Sequence, residues 1–425
     1  MFYAMGETRY LAILLVSILV NYFVGLHLGG AWNKSGQNRT VQTKQQIINS
    51  KKRRALLITA LIGNIGLLFL FKVGMGEAGM PLGMSFYTFQ IVSYLMDVYR
   101  GKVQREYSFL KLSLYITMFP QLISGPIVRY GEVEKEVAER SFSAQGVQDG
   151  LKLFVVGLAA KVLLADRVGL LWHEVQVTGF ASISTPLAWL GALAYSMKIY
   201  FDFYGYSLMA VGLGRMLGFA LPVNFRTPYM AKGVRDFYRR WHITLGRWFC
   251  DYVYIPLGGS RRGELRTVLN LLVVWLLTAL WHGGTINFLL WGLLLWLCIV
   301  IERLWAKTPL AGKVKGLPHI YLWCVIPVSW MCFAITELPQ LGIYLGRMFG
   351  IVGRIGVHSG DWQNALRDYG VLLLVAVLGC TPLAEKLYRK GKEHWLGKLG
   401  LAVLFWVCVW RLMVEGNNPF MYFSY

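Results

Sequence analysis

The stretch TVLNLLVVWLLTALWHGGTINFLLWGLLLWLCIVI, Thr267–Ile301, carries no Asp, Glu, Lys or Arg in 35 residues. As one helix it would run about 52 Å at roughly 1.5 Å per residue, against a hydrocarbon core of about 30 Å. It is therefore predicted to be a hairpin of two membrane helices broken at Gly283-Gly284, where glycine tolerates the turn. Each arm comes to roughly 25 Å, slightly short of a full crossing. The tip, with His282 at its start, should then sit below the outer surface in a funnel or thinned region.

The rest of the chain agrees with life in lipid. Of its 425 residues 56% are hydrophobic and only 15% charged, and mean hydropathy is +0.48, too little polar surface to cover a soluble globule. A net charge of +21 could indicate a nucleic-acid partner. The Lys and Arg residues, however, fall in short clusters between apolar runs, as in cytoplasmic loops that follow the positive-inside rule. Six cysteines, all but Cys250 within apolar runs and none in a C-x-x-C pair, predict neither a disulfide framework nor a metal site. The run from about Tyr10 to Leu28 reads as a span and not as a cleavable signal. No repeat or linker interrupts the chain, so 1–425 is treated as one domain.

Candidate spans lie near 10–28, 55–73, 80–97, 111–127, 150–168, 187–213, 267–281, 287–301, 318–336, 370–388 and 399–413, an all-α, polytopic reading of about 10–12 crossings. Basic loops at 31–54, 98–111, 303–315 and 386–398 fix the cytoplasmic side. Crossings counted from both chain ends put the C-terminal tail and the His282 turn outside. In the middle the count fails. Residues 128–149 should be outside and Arg261, Arg262 and Arg266 inside, yet the two spans between them return the chain to the outside. One further crossing is then required from 218–259, which is predicted to be a re-entrant, broken crossing at the centre of the molecule, its backbone buried by protein or lining a cavity.

Two histidines carry the candidate chemistry. An ionisable residue at membrane depth is a functional hypothesis, and the His282 imidazole can act as a general base on a hydroxyl; the alternative is an interfacial histidine at a helix end. His242 sits in Arg235-Asp-Phe-Tyr-Arg-Arg-Trp-His-Ile-Thr-Leu-Gly-Arg-Trp-Phe-Cys-Asp251. That run reads either as a basic interfacial helix or as a tunnel wall. On the second reading Arg239, Arg240 and Arg247 hold donor phosphates beside Trp241 and Trp281, and Asp236 and Asp251 are ion-pair partners that make buried arginines tolerable. His27, His173, His319, His358 and His394 read as structural or exposed. A transporter or flippase that uses the buried histidines for proton coupling remains an alternative, although no repeated halves are visible.

The strings Met84-Ser-Phe-Tyr-Thr-Phe-Gln90, Ser124-Gly-Pro-Ile127, Asp236-Phe-Tyr-Arg-Arg-Trp-His-Ile243, Asp251-Tyr-Val-Tyr-Ile-Pro-Leu-Gly-Gly259 and Leu280-Trp-His-Gly283 resemble the bacterial membrane-bound O-acyltransferase (MBOAT) group over nearly the whole chain. That group includes alginate O-acetyltransferases, peptidoglycan and cellulose acetylation proteins and, more distantly, the D-alanine transfer protein of teichoic acids. The resemblance implies helices around a central tunnel in the bacterial cytoplasmic membrane. An acyl thioester, acetyl-CoA or an acyl carrier protein, would enter from the cytosol, with no bound cofactor, and a polysaccharide hydroxyl would be the eventual acceptor. His282 matches the catalytic histidine and His242 the second polar position. Tyr254-Ile-Pro-Leu-Gly-Gly259 looks closer to the alginate-type acetyltransferases than to the D-alanyl branch, which stays as the alternative. The tail Asn417-Asn-Pro-Phe-Met-Tyr-Phe-Ser-Tyr425 resembles the group's terminal aromatic motif. It makes Tyr422 a candidate relay of the acyl group to an extracellular SGNH-type acetyltransferase, or alternatively an interfacial anchor.

Overall fold

The computed structural model describes residues 8–29, 44–74, 79–122, 125–309, 316–353 and 356–415. Tyr422 lies outside them. Every regular element among these residues is helical, and the packing divides the chain into two compact units, Met1–Gly150 with Ala210–Pro222, and Leu151–Met209 with Val223–Tyr425. Two of the three divisions fall inside long helices, Ala144–Ala159 and Thr185–Met216, and the third lies between Pro222 and Val223. No linker composition exists there to be read.

The first unit contains α1 (Leu11–Leu28), α2 (Lys44–Phe69, closing in a π turn), α3 (Met84–Tyr99), α4 (Phe109–Thr117) and α5 (Tyr130–Ala138). Polar contacts hold α1 to its neighbours. Asn21 and Asn64 exchange amide hydrogen bonds of 3.0 and 2.8 Å between α1 and α2, pairing polar groups that lipid would leave unsatisfied. Arg105 donates to the carbonyls of Leu26 and Gly29, both at 2.7 Å, which satisfies the open end of α1.

This unit changes the expected topology. Helix α4 has 9 residues, about 14 Å, under half of a crossing. Beyond it the chain turns back: Tyr115 Oη donates to the Val128 carbonyl at 2.8 Å, and Tyr130 Oη donates to Glu106 Oε2 at 2.5 Å. The residues entering and leaving 109–128 thus meet at one end of the unit. The predicted span 111–127 is a re-entrant excursion, and 98–111 and 128–149 lie on the same side. With that crossing removed the basic loops agree along the whole chain, and no additional crossing is needed from 218–259.

The second unit holds the C-terminal part of α6 (Ala144–Ala159, followed by a π turn) and α7 (Asp166–Thr178), most of α8 (Thr185–Met216), then α9 (Val234–Arg240), α10 (Ile243–Phe249), α11 (Glu264–His282), α12 (Ile286–Trp305), α13 (Leu317–Ala334), α14 (Leu338–Met348), α15 (Asp361–Gly379), α16 (Pro382–Gly391) and α17 (Trp395–Glu415). The predicted hairpin is present as α11 and α12. The predicted span 370–388 is instead bent by 77° between α15 and α16, where Thr381 caps a helix that starts on Pro382. Among the described residues six helices are long and apolar enough to cross alone, or seven if the bent pair counts as one span. Other predicted spans, α6–α7 and α8, are helical but carry charges that face protein. Lys161 Nζ reaches Asp166 at 2.5 Å and Asp202 at 2.8 Å. Paired buried charges let a helix cross without being uniformly apolar.

Candidate functional site

The site is built on the α11–α12 hairpin and on residues 223–259 of the broken segment, both within the second unit. Helix α11 ends on His282, and Gly283 follows because a Cβ there would stand 2.5 Å from the Phe288 ring. The tip is tied to α13: buried Asn287 donates to the Cys332 carbonyl at 3.2 Å. Aromatic rings then enclose the buried His282. Trp291 and Phe333 meet it edge-on at 5.1 and 5.0 Å, and Phe288 stacks at 6.1 Å.

Segment 218–259 is broken, as predicted, and it is a loop that goes in and comes back. Val234 and Arg235 donate their amides to the Glu302 carboxylate, at the far end of α12 from the tip. Two acceptor oxygens on the first turn of α9 satisfy its open amides and favour its dipole. Seven residues later the chain reaches its apex at His242, whose ring lies 6.4 Å from that of Trp281 beside the tip. From there α10 and a π turn, Cys250–Tyr254, lead back, and Asn270 Nδ2 in the first half of α11 donates to the Gly259 carbonyl at 3.0 Å. Helices α9 and α10 are seven residues each, about 10 Å, so neither crosses a membrane.

At the apex His242 adopts φ 44° and ψ 52°, and with Thr227 it is one of two non-glycine residues at positive φ among those described. Such conformations cluster at functional sites. His242 is 4% exposed and lies outside the spanning helices. Burial pushes its pKa down to about 3, so the ring is neutral.

Between hairpin and loop runs a cavity of about 430 Å³. On α11 it follows Leu271, Val274, Trp275, Thr278 and His282, and on α12 it follows Trp291, Ile299 and Arg303. Eleven or twelve residues along a helix correspond to roughly 17 Å, so the cavity is long and narrow. Arg235 and Arg303 lie at the Glu302 end, His242 and His282 at the tip end, and Arg239, Arg247 and mainly apolar and aromatic side chains complete the lining. Arg303 is held by Glu264 at 2.9 Å.

Several predicted residues come together here: His282, His242, Trp241, Arg239 and Arg247 all line the cavity. Trp281, 6% exposed, is packed between the two histidine rings and is not a lining residue. Arg240 is also off the lining; it donates through Nε to Asp236 Oδ1 at 3.1 Å. Partial burial works against the charge of Asp236, but that hydrogen bond and the Lys232 amide outweigh it and hold the carboxyl below its usual range. Asp251 sits partly buried in the π turn. Arg303 escaped the sequence reading because it looked like a loop charge. The available signal was periodic, since Trp291, Leu295, Ile299 and Arg303 recur every four residues on one face of α12. Arg235 was legible only as part of a basic run.

Chemically, one end can bind a polyanion through guanidinium groups. The other offers imidazoles in a buried, aromatic setting suited to proton transfer and charge stabilisation. The long apolar waist suits a slender, flexible arm.

The chain is similar to several acyltransferases. It is 33% identical, over 90% of its length and 74% of the relative, to a probable alginate O-acetylase of Pseudomonas fluorescens. It is 29% identical to a peptidoglycan O-acetyltransferase of Helicobacter pylori over its whole length and 89% of that protein. A teichoic acid D-alanyltransferase of Bacillus subtilis matches at 28% identity over 59% of the chain. Residues 46–308, which carry the histidine-bearing loop and hairpin, match the MBOAT, membrane-bound O-acyltransferase family. The chain is an acyltransferase and a multi-pass membrane protein, and it belongs to the membrane-bound O-acyltransferase family.

Proposed function

We propose that this acyltransferase moves an acetyl group from a cytosolic thioester, through the cavity, to a hydroxyl destined for a bacterial surface polysaccharide. The observation that carries the reading is the polarity of the cavity, which is lined by four arginines, with Arg235 and Arg303 at the Glu302 end and two buried histidines at the other. The arginine end is the end of Glu264 and Arg266, and of the basic loop that begins at Arg303, so the positive-inside rule makes it cytosolic. A donor bound there by its phosphates would extend its pantetheine arm along the waist and present the thioester near His282. His282 takes the proton of the attacking hydroxyl as the new C–O bond forms. The C–S bond then breaks, and the proton passes from the imidazole to the departing sulfur, which leaves as a thiol. General-base assistance of this kind is worth about 10²–10⁴-fold.

Acetyl is favoured over D-alanyl because the acetylase relatives match most or all of the chain, whereas the D-alanyltransferases match little more than half. The cytoplasmic membrane is the proposed location, with acetyl-CoA or an acyl carrier protein as donor. Tyr422 and an extracellular SGNH-type acetyltransferase are proposed to carry the acyl group onward, since the crossing count puts the tail on the His282 side. Family membership sets the transporter reading aside.

The test uses membranes with radiolabelled acetyl-CoA. H282A should lose about two to four orders of magnitude in acyl transfer while the donor still binds. Binding is read independently at Cys250, an exposed cysteine that lines the cavity, in a Cys324→Ser background. Acetyl-CoA should protect Cys250 from maleimide in both wild type and H282A. Full activity of a folded H282A protein overturns the assignment, and absence of protection by either CoA or carrier-protein thioesters overturns the cavity as the donor site.

A further inference from the structure

Asn224, 1% exposed, was not singled out by the sequence, and it controls the chemistry of the loop apex. Its Oδ1 accepts from the Thr244 amide at 3.3 Å and the Thr244 hydroxyl at 3.0 Å. A backbone N–H can only donate, so this atom is the side-chain oxygen and the amide orientation is fixed. His242 Nδ1 stands 3.1 Å from the same oxygen. An acceptor facing Nδ1 requires the proton there, and in a neutral imidazole the lone pair is then on Nε2. The main chain braces the arrangement. The Asn224 carbonyl accepts from the Ile243 amide and the Arg226 amide donates to the Arg240 carbonyl, each at 2.9 Å, which clamps both sides of the left-handed apex. Phe203 packs edge-on against the imidazole at 4.7 Å.

We infer that Asn224 is a positioning residue that fixes the tautomer of His242, so that His242 meets the substrate as a hydrogen-bond acceptor through Nε2. This rests on the proposed acyl-transfer site and divides the labour within it. His242 accepts a hydrogen bond from another donor of the bound substrate, such as an amide N–H of the pantetheine arm, which leaves the hydroxyl proton to His282, and it does not supply a donor to the developing oxyanion.

The experiment compares N224L, which removes the acceptor at similar size, with N224D, which keeps an oxygen in the same place. N224L should lose kcat by roughly 10- to 100-fold, as loss of a residue that orients a histidine typically does, with donor KM and donor protection of Cys250 unchanged. N224D should stay within about tenfold of wild type. A folded N224L protein with full kcat, or an N224D protein as inactive as N224L, overturns the inference. Should N224L fail to fold, ¹⁵N spectra of histidine-labelled wild-type protein decide, the His242 signals being assigned by their loss in H242Q. A protonated Nδ1 and bare Nε2 support the inference and the reverse tautomer refutes it. Full activity in H242A would instead defeat the catalytic reading of His242, which the ¹⁵N result keeps separate.

Discussion

Gly283 offers a direct test of whether the packed tip of the hairpin governs the His282 chemistry. Its φ of 173° is extended backbone open to any residue, so a G283A change introduces no backbone strain. What it introduces is a methyl group 2.5 and 2.6 Å from two carbons of the Phe288 ring, a separation real atoms do not adopt. Phe288 has little room to retreat: it is 3% exposed, and Phe333 lies edge-on at 5.0 Å. The ring or His282 itself must move, and overpacking of this kind costs about 1–3 kcal/mol. If that cost falls on the geometry of the reacting state, acyl transfer drops by roughly 5- to 150-fold. The assay is acetyl transfer in membranes, alongside thermal unfolding of purified protein. Replacing the rigid ring with a smaller, flexible side chain should relieve the clash, so the double variant G283A/F288L should recover most of the loss. An undiminished rate and unchanged melting temperature in G283A would refute the reasoning. So would failure of the double variant to improve on G283A while F288L alone is active.

Two other outcomes follow from the architecture. Single cysteines placed at Lys102 and Glu139 should react with a membrane-impermeant maleimide from the same side, and one at Glu337 from the opposite side; labelling of Glu139 and Glu337 positions together would restore the crossing at 111–127. E302A should destabilise the protein by about 1–3 kcal/mol, because it removes the acceptor for two first-turn amides of α9, whereas E302Q keeps an acceptor oxygen and should retain most of the stability in thermal unfolding.

Much of this protein is legible in its residues taken in order. The uncharged 35-residue run from Thr267 to Ile301 exceeds what one membrane helix can use, so hairpin and turn follow from length alone, and His282 is placed at the tip by the glycines beside it. The charged, broken character of 218–259 is equally local, because arginines spaced among aromatics cannot form a plain span. Crossing parity is different. Residues 111–127 are apolar enough to be read as a span from sequence, and the hydrogen bonds Tyr115–Val128 and Tyr130–Glu106 show that the chain returns to where it entered. Hydropathy measures how comfortable a segment is away from water and carries no information on whether it goes through. The same limit applies to the site. Arg239 and Arg240 are adjacent and chemically alike, yet the turn of α9 aims one into the cavity and leaves the other on Asp236. Arg303, 21 residues beyond His282 in the sequence, shares a cavity with it because an antiparallel hairpin lays one face of α12 along one face of α11. Asn224 matters through a single oxygen whose three hydrogen-bonding neighbours lie 18 to 20 residues away in sequence. The sequence determined which groups enter the membrane; the fold alone decided which of them face one another, since contact between distant residues depends on backbone direction and no local pattern records it.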